Sequence, residues 1–262
     1  MPFTFAHPAA AVPLFRLAPN RLILSALIIG SMTPDFHYFL PFELLRADSH
    51  SLPALLWFCL PLGMALYLLF HLLLKAPLAA LLPDAWRTRL SAQDMLRLPS
   101  ASGLAIVVSL LLGALTHLIW DGFTHGTGFG VQALPLLAAD LFAIGDYHVT
   151  PYKLLQHGST VLGLGLLMWW SRNWQRSVPR PAQPMPASFS FRQRCAILAA
   201  FVAVPAVVGL LAAIIEAHQA YLPYPLKDFV SEMVITGIST CHLLLVAYAL
   251  LWQFNWRKNL SR

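Results

Sequence analysis

The chain has 262 residues, 58% of them hydrophobic and only 11% charged, with a mean hydropathy of +0.66. A soluble domain carries about 25% charged residues, so the composition excludes a soluble globular enzyme, a disordered protein and a nucleic-acid-binding domain. It points to an integral membrane protein. The net charge of +6 sits in loops between apolar runs, where basic residues set topology rather than bind nucleic acid. Cys59, Cys195 and Cys241 lie inside apolar segments and form no CxxC pair, so they read as buried thiols.

Two short apolar pieces come first, 8–18 and 21–33, separated by Ala18-Pro19-Asn20. No positive stretch precedes them, so no cleavable signal peptide is expected. Neither reaches the roughly 20 residues needed to cross a bilayer. The Pro-Asn break predicts a re-entrant hairpin that returns His7 to the level of Asp35. One spanning helix with an interfacial arm is the alternative. Five later segments have spanning length or nearly so: 52–74, 103–122, 152–170, 195–215 and 230–252.

The expected fold is therefore all-α, a polytopic helical membrane bundle of five spanning helices plus a short N-terminal helical hairpin. One integral membrane domain, 1–262, would hold the hairpin and an outer loop (1–51), three spans (52–170), a linker (171–194), two spans (195–252) and a basic tail (253–262). Segment 75–102 (Lys75, Arg87, Arg89, Arg97), the linker (Arg172, Arg176, Arg180, Arg192, Arg194) and the tail (Arg257, Lys258, Arg262) carry twelve of the seventeen basic residues. Five spans put all three on one side, which the positive-inside rule makes cytoplasmic, C-terminus included. The opposite side receives Asp35, Glu43, Asp48, Asp140, Asp146, Glu216 and Asp228. The proline-rich stretch 178–188 reads as a flexible cytoplasmic linker. Trp169, Trp170, Trp174, Trp252 and Trp256 read as interfacial anchors.

Ten histidines in so apolar a chain need a reason, because ionisable groups at membrane depth are costly. The densest group is His117-Leu-Ile-Trp-Asp121-Gly-Phe-Thr-His125. Spacings of four keep the three residues within an arc of about 80° on one helix face. A histidine and a carboxylate on adjacent turns can grip one ion, the spacing logic of HExxH. Such ligands suit zinc, manganese or iron. A hydrogen-bonded pair closing a helix end is the plainer alternative. The second group is Gly30-Ser-Met-Thr-Pro34-Asp35-Phe-His37. Pro34 disfavours helix at Thr33, so Asp35 sits at a break, either as a ligand or as the N-cap of a following helix. His50 lies in the same outer loop, His7 returns to it through the hairpin, and His157 starts the helix at 152. His7, Asp35, His50, His117, Asp121, His125 and His157 can thus converge on one layer. His71 and His242 read as core groups, His148 and His218 as loop groups.

The set of an early His, Gly-x-x-x-Pro-Asp, His and His-x-x-x-Asp-x-x-x-His resembles the zinc-dependent phospholipase C and nuclease superfamily. It resembles more closely the bacterial inner-membrane proteins described as metal-dependent hydrolases. Met1-Pro-Phe-Thr-Phe-Ala-His7-Pro8 and Lys153-Leu-Leu-Gln-His157-Gly-Ser159 resemble a bacterial family of unknown function along the whole chain. The resemblance implies His7, Asp35, His50, His117, Asp121 and His125 as ligands of a multinuclear zinc site. The soluble enzymes carry a later His-x-x-x-Glu pair. Here Val161 stands four residues after His157, which implies a one- or two-metal site with His157 as ligand or outer partner.

The expected function is metal-dependent hydrolysis of a phosphoester or lipid-like substrate at the outer face of the inner membrane. A bound zinc would lower the pKa of its water to about 7, with Asp35 and Asp121 as catalytic carboxylates that bridge metals or orient the water. The expected cofactor is a divalent metal, zinc first, and the expected partners are membrane lipids. No nucleotide-binding loop or G-x-S-x-G elbow occurs. The competing readings are a non-catalytic metal- or lipid-binding scaffold and a transporter with a His/Asp proton relay.

Overall fold

The computed structural model describes residues 3–39, 46–96, 101–145, 147–220 and 224–260. The Glu43, Arg97, Asp146 and Arg262 positions, and the side chains of Trp256, Arg257 and Lys258, lie outside the described residues. Seven main helices account for most of the chain: α1 Pro8–Leu17, α2 Leu24–Gly30, α3 Leu55–Leu81, α4 Gly103–Thr124, α5 Pro151–Ser177, α6 Phe191–Gln219 and α7 Leu226–Leu260. Among the described residues the one sheet is a small antiparallel hairpin, Phe142–Ile144 paired with Tyr147–Val149 and turned by Gly145 at φ 59°.

Among the described residues four helices are long and apolar enough to cross a membrane: α3, α4, α6 and the Leu226–Phe254 part of α7. The chain is therefore a helical membrane protein, with four clear spans where the sequence predicts five. The segment predicted at 152–170 does form a helix, the 27-residue α5. Lys153, Gln156, His157, Ser159 and Thr160 near its start, and Arg172, Asn173, Gln175 and Arg176 near its end, dilute its apolar run.

The chain divides into two compact units, Met1–His37, Phe42–Tyr67 and Ser100–Ser177 in the first, and Tyr38–Pro41, Leu68–Pro99 and Val178–Arg262 in the second. In the first unit the predicted N-terminal hairpin is present. Pro8 begins α1, where a missing N–H is harmless. At about 1.5 Å per residue α1 and α2 reach only about 15 and 11 Å, too short to cross alone. Ala11, Leu22 and Leu27 seal the hairpin. α2 ends where the Thr33 hydroxyl turns back to the Gly30 carbonyl at 2.7 Å, and Thr33–Phe39 continues as a 3-10 turn. The N-terminus of α4 is capped by Ser102, whose side chain accepts from Ala105 N. Deeper in α4, the Ser109 hydroxyl accepts from Ile23 N at 2.8 Å, fixing the start of α2 against it. The helix stops at Thr124, and His125 is already extended.

In the second unit α6 starts in a capping box of Ser190 and Gln193 and packs along α7. The packing is close because Gly209 has no Cβ to strike the Met233 carbonyl. The proline-rich segment, read from sequence as flexible, is held in place. Met185 is 2% exposed, in a cluster with Ala76, Ala80 and Trp252. Its N–H donates to Leu90 O at 2.8 Å and its carbonyl accepts from the Arg87 guanidinium. Ala92 N donates to Gln183 O at 3.0 Å. Composition gives no warning of this, because one buried methionine and a few backbone bonds do the anchoring. Met185→Ala is expected to destabilise this unit by about 2–5 kcal/mol, the usual range for a buried methionine. Thermal unfolding in detergent would measure it.

Candidate metal centre

The end of α4 supplies two of the central groups. His117 and Asp121, one turn apart, point the same way, and His117 Nε2 lies 3.5 Å from Asp121 Oδ2. The break at Pro34 brings in Asp35, whose Oδ1 lies 3.5 Å from His117 Nε2. His50, just ahead of α3, completes the ring. Its Nε2 is 3.3 Å from Asp35 Oδ1 and 3.5 Å from Asp121 Oδ2. One ligand atom from each of Asp35, His50, His117 and Asp121 falls within 4.8 Å of every other. Asp35 and His117 are fully buried and Asp121 is 4% exposed.

These spacings are not those of an ordinary hydrogen-bonded cluster. Charge-assisted N–H···O bonds run about 2.7–2.9 Å, whereas here four pairs stand at 3.3–3.5 Å. A tetrahedron built on zinc bonds of about 2.0–2.1 Å has edges of about 3.3–3.4 Å. Asp35 Oδ1, His50 Nε2 and His117 Nε2 are buried with no hydrogen-bond partner, an arrangement that costs free energy unless something fills the space between them. The two buried carboxylates bring a charge of −2 together, and a divalent ion is the compact way to offset it. A set of two imidazoles and two carboxylates fits zinc, manganese or iron.

Outer contacts orient Asp35, His50 and His117 toward this point. His117 Nδ1 is 2.8 Å from the Ser31 carbonyl and must donate to it, so Nε2 is the ring nitrogen turned to the cluster. His50 Nδ1 is 2.8 Å from Ser49 Oγ. Asp35 Oδ2 accepts from the Thr4 hydroxyl at 2.7 Å, so only Oδ1 faces the cluster. His37 Nδ1 meets the Pro34 carbonyl at 2.8 Å and Ser49 Oγ at 3.1 Å. Burial opposes ionisation of Asp35, but neighbouring His117, with His50 and the Thr4 hydroxyl, holds its carboxyl well below the usual range.

His7 stacks on His117 with ring centroids 3.7 Å apart, and its Nε2 is 3.6 Å from Asp121 Oδ1. Burial first, then His117, lowers its pKa to about 3 against the pull of Asp121 and Asp35, so the ring is neutral at physiological pH. His125 Nδ1 is 3.5 Å from Asp121 Oδ2 and its Nε2 is 3.4 Å from the Gln156 amide. Of the seven residues expected from sequence, the structure brings together His7, Asp35, His50, His117, Asp121 and His125. It does not bring His157, which is exposed on α5. The face of α5 turned toward the cluster carries Gln156 instead, one position away, a register that helix spacing alone does not fix. Thr4, Ser31 and Ser49 were not legible as site residues, because a hydroxyl or a carbonyl aimed at a ligand leaves no spacing signature.

The sequence family described as a domain of unknown function (DUF4184) matches residues 1–250. No curated protein and no solved structure matches the chain.

Proposed function

The chain belongs to the DUF4184 family, and from its own site we propose that it is a membrane-embedded, zinc-type metal-dependent hydrolase acting on a phosphoester or lipid-like substrate. The observation that carries this reading is the buried set of Asp35, His50, His117 and Asp121, whose ligand atoms lie within 4.8 Å of one another, with Asp35 Oδ1, His50 Nε2 and His117 Nε2 lacking hydrogen-bond partners. Those four residues would hold the ion, and a bound divalent ion supplies an acidified water and charge stabilisation at a phosphoryl oxygen. Thr4 keeps Asp35 single-ended toward the site. His7, neutral and beside Asp121 Oδ1, can accept a hydrogen bond from water.

We also propose five spans in the inner membrane, with the site at the outer face and the C-terminus cytoplasmic. The bonds from 90–92 to 183–185 support this reading, since they require both segments to lie on one side of the bilayer. α4 crosses between them, so a second crossing is needed, and α5 is the helix available. Positive-inside makes that shared side cytoplasmic.

A non-catalytic metal scaffold has one observation in its favour: four protein side chains converge on one point, the ligand number of structural zinc sites, whereas catalytic sites keep a position open. Metal analysis of the purified protein, followed by an assay on bis(p-nitrophenyl) phosphate, separates the readings. The hydrolase is expected to hold near-stoichiometric metal and release nitrophenolate. His157→Ala should leave the metal content unchanged. Metal without turnover would favour the scaffold, and a protein that never holds metal would sink both.

A further inference from the structure

Beside the cluster lies a cavity of about 200 Å³ between α1, α4 and α5, lined by His7, Ala10, Trp120, Ser159, Leu162 and Leu166 among others. Its walls are mostly apolar, with His7 and Ser159 as the polar side chains. His7 is 4% exposed, and neither ring nitrogen has a hydrogen-bond partner. The same ring reaches the cluster through Asp121. A buried, unpartnered imidazole between an apolar cavity and a set of metal-ligand groups is positioned for a molecule with a polar end and an apolar body.

The cavity continues along the α1–α5 groove. A second space of about 130 Å³ shares Ala9 and Leu166 with the first and ends among Arg16, Trp169 and Trp170. From Ala6, just ahead of α1, to Arg16 the groove runs about 15 Å, which is half of the roughly 30 Å hydrocarbon core, or one leaflet. Leu162, Leu166 and Trp169 are 62%, 46% and 57% exposed along it, so its side opens toward hydrocarbon rather than water.

We infer that this groove holds one hydrocarbon chain of a membrane lipid, with the polar linkage of that lipid drawn up against His7 and the Asp/His cluster. The inference rests on the hydrolase reading and names its substrate class. The bilayer is itself hydrocarbon, so apolar burial gives little net gain and shape decides occupancy. Blocking the groove should therefore remove binding outright.

The test uses the full chain in dioleoyl phosphatidylcholine vesicles doped with a phosphatidylcholine bearing a diazirine on one acyl chain. After photolysis, label is expected at Trp120, Leu162 and Leu166 several-fold above that at Val202 and Leu211, which are comparably exposed on α6. Ala10→Phe and Ser159→Leu, on opposite walls, should each remove the excess while metal content stays at the wild-type level. A metal-bound protein labelled no more in the groove than at Val202 overturns the groove and retains the hydrolase. An excess that survives both variants also overturns it. Groove labelling in a protein that never holds metal keeps the chain site and overturns the hydrolase.

Discussion

Asp121→Asn is expected to abolish metal-dependent stabilisation. The carboxylate contributes at two places, with Oδ2 facing His50 and His117 and Oδ1 facing His7. The amide keeps the volume but loses the charge. With metal present the site loses a ligand, which should exceed the roughly 10–100-fold cost of losing an outer partner. Zinc at a hundred times its Kd stabilises a protein that binds it by about 2.7 kcal/mol. Thermal unfolding with and without zinc should show that gain in the wild type and nothing comparable in the variant. Full metal occupancy in Asp121→Asn would remove Asp121 from the site.

How far the site could be read from sequence depended on what kind of regularity placed each residue. His117 and Asp121 were legible because helical spacing is a local rule and α4 obeys it. Asp35 was legible because Pro34 marks a break, and His7 because two short helices around Pro19-Asn20 had to fold back. His157 failed because sequence places a residue on a helix without fixing which way that helix is rotated, and α5 turns Gln156 inward instead. The spans followed the same logic. Long apolar runs were found within four residues of their observed ends, except that α3 continues seven residues past the predicted 74, whereas α5, polar at both ends, stands apart from the four clear spans. The anchoring of 178–185 was illegible because proline content reports that a segment avoids helix, not whether its backbone finds partners.

Gly113→Ala is expected to weaken both the fold of the first unit and its affinity for metal, although it adds only one methyl group. α2 crosses α4 at Gly30 and Gly113, where the two backbones touch. A Cβ on Gly113 would stand inside contact distance of Leu27 O and 2.8 Å from Ser31 N, and both are backbone atoms with no side-chain freedom to yield. Overpacking of a core costs about 1–3 kcal/mol, and a clash with backbone belongs at the upper end. The damage is directed, because Ser31 also provides the carbonyl that orients His117. Moving α2 outward by the width of a methyl group lengthens that bond and frees the ring to rotate off the cluster. Glycine elsewhere gives the control. Gly158 and Gly165 on α5 have nothing within 4 Å of a built Cβ, so alanine there should be neutral or stabilising by up to about 1 kcal/mol through helix propensity. The measurement is zinc affinity and thermal midpoint for all three variants. Loss of both in Gly113→Ala alone is the expected pattern. Wild-type affinity in that variant would mean that α2 does not hold His117 in place.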